Sequence, residues 1–156
     1  MAIWCRLGVK CDSIFAKSRL YGILINMAKY WRGAHTKYRL MIHLVWIPKY
    51  RKRVLKGELK KRIEELLNLC AEANGWKIEE LNVQEDHVHL ILQFVTTISV
   101  SKMVQLLKGK TSRILRKEFP SLAEFYWGDS FWADGYFAET VGHCNIDIIK
   151  EYVKNQ

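Results

Sequence analysis

Two strand-like runs with no helix between them, 76-WKIEELNVQ-84 and 85-EDHVHLILQF-94, lie between two amphipathic helical stretches. In the first of these, 56-KGELKKRIEELLNLCAEANG-75, Leu59, Ile63, Leu66, Leu67 and Cys70 recur at helical spacing. Lys60–Glu64 and Lys61–Glu65 form i,i+4 pairs, and Gly75 supplies a stop. The second, 98-ISVSKMVQLLKGKTSRILRKEFP-120, has a core stripe of Met103, Leu107 and Ile114 and ends at Pro120. Ahead of them, 38-YRLMIHLVWIP-48 is rich in β-branched and aromatic residues and is stopped by Pro48, the mark of a strand. A fourth strand is expected near residues 136–141, inside the aromatic segment 125-FYWGDSFWADGYFAETVG-142. A last helix is expected over 145–156, with Asn145 or Asp147 as its cap. The order β-α-β-β-α-β plus a C-terminal helix specifies an α+β fold. It is the ferredoxin-like (RRM-like) antiparallel sheet with helices on one face.

The 156 residues suffice for one domain with a proper core. The net charge of +9 favours a polyanionic partner and says nothing about fold. No apolar run approaches the roughly 20 residues of a membrane helix, so no membrane role is expected. Cys5, Cys11, Cys70 and Cys144 show no zinc spacing and read as reduced, cytoplasmic thiols. Residues 1–26 carry Arg6, Lys10, Lys17 and Arg19 against Asp12 and follow neither strand nor helix period for long. The same charges interrupt any signal-peptide core.

His87 and His89 stand one residue apart in the third strand run. Alternate strand residues share a face, so both imidazoles project to one side, with Val88, Leu90 and Leu92 toward the helices. Such a pair can converge on one metal ion. Taken alone, such a motif is more often two histidines on a wet sheet face that bind nothing, and no other His or Cys has ligand spacing. Glu85 would share the histidine face and could fix an imidazole tautomer. In 151-EYVKNQ-156, Tyr152 and Gln156 share a helix face. A tyrosine can act as a covalent nucleophile, and a glutamine offers a carbonyl oxygen to a hard metal. The plainer reading packs Ile148, Ile149 and Tyr152 on the sheet.

Four segments together are more specific: 86-DHVHLIL-92, 105-QLLKGKTSRILRKEFP-120, 131-FWADGYFAETVG-142 and 149-IKEYVKNQ-156. In this order and spacing, the chain from residue 38 to 156 resembles the single-tyrosine HUH transposases of the TnpA type, from small bacterial and archaeal insertion sequences (the IS200-like family). The resemblance implies a transposase domain over residues 34–156 behind a loosely attached extension, 1–33. It implies a homodimer that cuts and rejoins single-stranded DNA at hairpin-bearing transposon ends through a 5′-phosphotyrosine. Tyr152 corresponds to the nucleophile, and His87, His89 and Gln156 to the ligands of Mg²⁺ or Mn²⁺. Three neutral ligands leave the ion its full charge to polarise a phosphate. Histidine suits Mn²⁺ better, while Mg²⁺ is the more abundant ion.

Lys110, Arg113 and Lys117, with Arg116 beside them, line one side of the second helix, and Lys49, Arg51, Lys52 and Arg53 form a basic loop. Both can follow a phosphate backbone. Trp127, Phe131, Trp132, Tyr136 and Phe137 can stack on unpaired bases, although core packing is the ordinary role of aromatics. His35, His43 and His143 have no recognisable partner spacing. Two other functions use the same fold: a non-enzymatic single-strand-binding module with the sheet as platform, and a related replication or mobilisation nuclease.

Overall fold

In the computed structural model, the described residues are 30–124, 130–142 and 146–155. The chain divides into two compact units, Met1–Tyr38 and Arg39–Gln156. In the first, β1 (Trp31–Arg32) and β2 (Lys37–Tyr38) form a small antiparallel hairpin, closed by Gly33 N–H donating to the Thr36 carbonyl at 2.8 Å. Trp31 and Tyr38 meet edge to face across it.

The second unit follows the expected order. β3 (Leu40–Trp46) is followed by α1 (Gly57–Ala73), β4 (Lys77–Val83), β5 (Val88–Phe94), α2 (Val100–Glu118), β6 (Phe137–Thr140) and α3 (Ile146–Lys154). The four strands form one sheet in the order β4-β5-β3-β6, every pair antiparallel. This is the ferredoxin-like arrangement, with the strand ahead of each helix placed at the centre.

Alternation sorts the two central strands. Ile42, Leu44 and Trp46 of β3, with Val88, Leu90 and Leu92 of β5, join Leu59, Ile63, Leu67, Met103, Leu107 and Leu115 in the main core under α1 and α2. Met41 and Ile91 take the opposite face, where Val141 and Val153 cover them. α1 ends as its glycine requires. Gly75 adopts φ 69, and the N–H groups of Gly75 and Trp76 return to the carbonyls of Glu72 and Ala71. The expected Lys60–Glu64 and Lys61–Glu65 pairs give way to a forked one. Arg62 reaches Glu65 at 2.8 Å and Glu118 at 2.7 Å, because a guanidinium can tie α1 to α2 where an ammonium serves one partner.

The two consecutive glutamates of β4 break its alternation. A bulge between Ile78 and Glu80 absorbs the extra residue, so that Ile78, Leu81 and Val83 all pack toward the main core. The same bulge presents both Glu79 and Glu80 to α3, where they meet Lys150 at 3.1 Å and Lys154 at 3.8 Å. Asn82 adds a hydrogen bond from its side-chain amide to the Val153 carbonyl at 2.5 Å. The terminal helix therefore lies on the face opposite α1 and α2. The capping role expected of Asn145 falls outside the described residues.

Candidate active site

β5 begins at Val88, so His87 immediately precedes the strand and His89 is its second residue. Their rings meet edge to face with centroids 4.8 Å apart, as same-side neighbours should. His87 Nδ1 lies 2.5 Å from Asp86 Oδ1, and Asp86 Oδ2 accepts from Arg51 Nε at 3.0 Å. The His87 bond, helped by Arg51 and opposed by burial, holds the Asp86 carboxyl below its ordinary value. Glu85 was expected in this position. Instead it pairs with Lys56 at 3.0 Å, because residues 85 and 86 form a bend and strand alternation does not reach back to them.

His43, given no role from spacing, lies at the centre of the site. It is 6% exposed and His89 is 5% exposed. The strand register pairs Val45 with His89 and His43 with Ile91, so the two histidines are diagonal neighbours on one face. Their rings are nearly parallel, at 12° with centroids 5.3 Å apart, and His43 Nε2 lies 3.0 Å from His89 Nδ1. Burial pushes the His43 imidazole below its ordinary value, against a smaller opposite pull from Glu139, which pairs with it across β3 and β6.

Tyr152 comes to the same place from α3. Ile149 and Val153 pack on Met41, Ile91 and Val141, whereas Ile148 and Tyr152 stay exposed. Of the three residues the plainer reading would bury, only Ile149 packs on the sheet. The Tyr152 ring is 54% exposed, with its centroid 6.1 Å from that of His89. A cavity of about 500 Å³ opens between them, walled by His43, His89, Phe137, Glu139, Ile148 and Tyr152.

The two imidazoles fit a divalent ion. Asp86 fixes His87 with Nδ1 protonated, which presents the Nε2 lone pair, the usual support of a ligating histidine. Among the described residues, no third His, Cys, Asp or Glu completes a metal cluster with them, and Gln156 lies outside the described residues.

The basic residues divide into two groups on α2. Arg113 and Arg116 line a cleft of about 540 Å³ with Gln105, Lys108, Asp134 and Tyr136. Lys110 lies on the flank beside Leu66, Leu69 and Cys70, and Lys117 is exposed near the helix end. Lys108 closes the cleft by donating to the carbonyls of Ala133, Asp134 and Gly135. In the basic loop, Lys49, Tyr50 and Arg51 form a 3-10 turn in which Tyr50 and Arg51 adopt left-handed φ angles of 62° and 51°. Tyr50 is 68% exposed, and the Lys49 and Lys52 ammoniums lie 5.5 and 6.0 Å from its ring centre. Arg53 is exposed. Phe131 and Trp132 are core residues, Tyr136 and Phe137 are exposed, and Trp127 is outside the described residues.

His43 and Asp86 touch the histidine pair and were missed by spacing. Each left a trace: a histidine in the middle of the strand run 38–48, and an acid abutting the H-x-H.

A tyrosine-bearing helix over paired histidines, on a ferredoxin-like sheet with basic flanks, fits a protein that works on nucleic acid. Comparison with known proteins says which kind. Residues 36–156 match the family described as "Transposase IS200 like", and the chain belongs to that family. It is 35% identical over 123 residues to the transposase for insertion sequence element IS200 of Salmonella typhimurium, covering 79% of this chain and 80% of that protein. It is 33% identical over 125 residues to the ISDra2 transposase TnpA of Deinococcus radiodurans, covering 80% and 89%. Among solved structures, a Deinococcus radiodurans protein described as a transposase superposes with a TM-score of 0.68 at 32% identity, covering 81% of this chain and 97% of that one. The REP-associated tyrosine transposase bound to a REP hairpin shares the fold, with a TM-score of 0.56 at 12% identity over 81% of this chain and 70% of that one.

Proposed function

We infer that this transposase cuts and rejoins single-stranded DNA through a covalent bond to Tyr152. The observation that carries the reading is the half-exposed Tyr152 ring in one cavity with His89, within a single chain. The Tyr152 Oη attacks the phosphorus, the Oη–P bond forms and the P–O3′ bond breaks. The phenol loses its proton, and the departing 3′ oxygen gains one. This leaves a 5′-phosphotyrosine and a free 3′-OH, and a 3′-OH attacking in return restores the phosphodiester. One ester replaces another, so no external energy source is needed.

His87 and His89 are the side chains for a Mg²⁺ or Mn²⁺ ion, with Gln156 as the further ligand. Once bound, such an ion would act as a Lewis acid on the scissile phosphate. Phe137 and Glu139 wall the cavity on the β6 side, and Val45 and Ile149 line it further. The Lys150–Glu79 and Asn82–Val153 contacts hold Tyr152 in position from outside the cavity.

Arg113 and Arg116 in their cleft, Lys110 and Lys117 on the rest of α2, and the Lys49, Arg51, Lys52 and Arg53 loop offer cations to a DNA hairpin at the transposon end. A homodimer completes the reading, and light scattering in solution tests it. The alternative in which the sheet serves as an open platform for bases is disfavoured. Ile149 and Val153 of α3 already cover Met41 and Ile91 on the face such a platform would use.

The test is to incubate the protein with single-stranded insertion-sequence ends and Mn²⁺, then denature it. A protein–DNA adduct that survives denaturation, and is absent from Tyr152→Phe, is the expected result. Binding without any adduct would reduce the protein to a binding module.

A further inference from the structure

We propose that His43 is a positioning residue for the ion site, the hydrogen-bond acceptor that holds His89 in its ligating tautomer. The inference rests on the reading of His87 and His89 as metal ligands.

Two neutral imidazoles can share a hydrogen bond only if one donates and the other accepts. The 3.0 Å approach of His43 Nε2 to His89 Nδ1 therefore allows two states. In one, His43 donates from Nε2, and His89 must carry its own proton on Nε2, which blocks that nitrogen from an ion. In the other, His89 donates from Nδ1, its Nε2 keeps a lone pair, and His43 carries its proton on Nδ1. Only the second is compatible with ligation through Nε2. His87 reaches the same state through Asp86. The two ligands thus use different supports, a carboxylate at the bend and an imidazole from the neighbouring strand.

The support for His89 is rigid. His43 is held in the middle of β3, between β5 and β6, with Phe137 edge to face against it at 6.1 Å. Both histidines are buried, so water is poorly placed to replace the acceptor. Loss of such a partner typically weakens metal affinity about 10- to 100-fold.

The experiment measures Mn²⁺ affinity by electron paramagnetic resonance for wild type, His43→Leu, His43→Gln and His87→Ala, without DNA. His43→Leu should bind about 10- to 100-fold more weakly. His43→Gln, whose amide oxygen can stand near the lost Nε2, should recover most of the affinity, and His87→Ala should bind least. A second measurement needs no variant. Two-bond ¹H–¹⁵N correlation of the Zn²⁺-loaded wild type should show His43 protonated on Nδ1 and bare on Nε2. Wild-type affinity in His43→Leu, with affinity lost in His87→Ala, would overturn the role of His43 and leave the metal reading standing. A proton on His43 Nε2 in the loaded protein would overturn it whatever the variants do. Equal, negligible affinity in wild type and His87→Ala would remove the metal reading and this inference with it.

Discussion

The Tyr152 ring lies 6.1 Å from the His89 ring, centroid to centroid and nearly perpendicular, although 62 residues of chain lie between them. The strand contributes one partner and the terminal helix the other, and the acidic bulge of β4 joins the two elements. Each part of that arrangement can be tested separately.

The histidine pair should be required for cleavage and dispensable for holding DNA. His87→Ala is expected to abolish strand cleavage while DNA affinity, measured by fluorescence anisotropy, changes less than about threefold. Excess chelator should silence the wild type in the same way. Cleavage that continues in chelator would remove the metal from the account.

Asp86 links the basic loop to the site, since it accepts from both His87 and Arg51. Asp86→Asn should weaken Mn²⁺ binding about 10- to 100-fold, with a smaller loss for Arg51→Ala, which leaves the His87 contact in place. Glu85→Gln, which breaks only the exposed pair with Lys56, should leave the metal affinity unchanged. Titration of the three variants with Mn²⁺ decides between the two carboxylates.

Arg113 and Arg116 line the cleft on α2 without belonging to the core. Replacing either with Gln should leave the melting temperature within a few degrees. Each should also lower the slope of log affinity against log salt by roughly one phosphate contact. An unchanged slope would place the DNA elsewhere.

Glu79 should make the docking of α3 sensitive to acid. Burial raises its carboxyl pKa, but the Lys77 and Lys150 ammoniums outweigh burial and leave it below the ordinary value. A lowered carboxyl stabilises the fold above its unfolded-state pKa, about 4.3, and loses that contribution as pH falls through the lower folded value. Glu79→Gln should cost on the order of 1 kcal/mol at pH 7. The gap in melting temperature between wild type and variant should close below about pH 4.

The fold was legible because each element carries a local signal that tertiary packing reinforces. Pro48 and Pro120 end a strand run and a helix, Gly75 takes the left-handed stop, and Leu59 through Cys70 face the core as their spacing requires. The bulge was less legible, because Glu79 and Glu80 interrupt alternation in a way that only cross-strand register resolves. Within the site, His87 and His89 declared themselves by sitting two apart. His43 did not, since its relation to His89 runs diagonally across two strands far apart in sequence. Glu85 was misplaced because alternation was carried one turn too far, into a bend that hands the role to Asp86. On α2, helical spacing identified the basic residues as exposed but could not say which of them face a cleft.

The central claim is a covalent bond from Tyr152 to DNA, and the direct measurement is tandem mass spectrometry of the protease-digested, nuclease-trimmed adduct. The account requires the phosphoryl-nucleotide mass on the peptide containing Tyr152. The same mass on another residue, or no adduct at all from protein that binds the DNA and Mn²⁺, would contradict it.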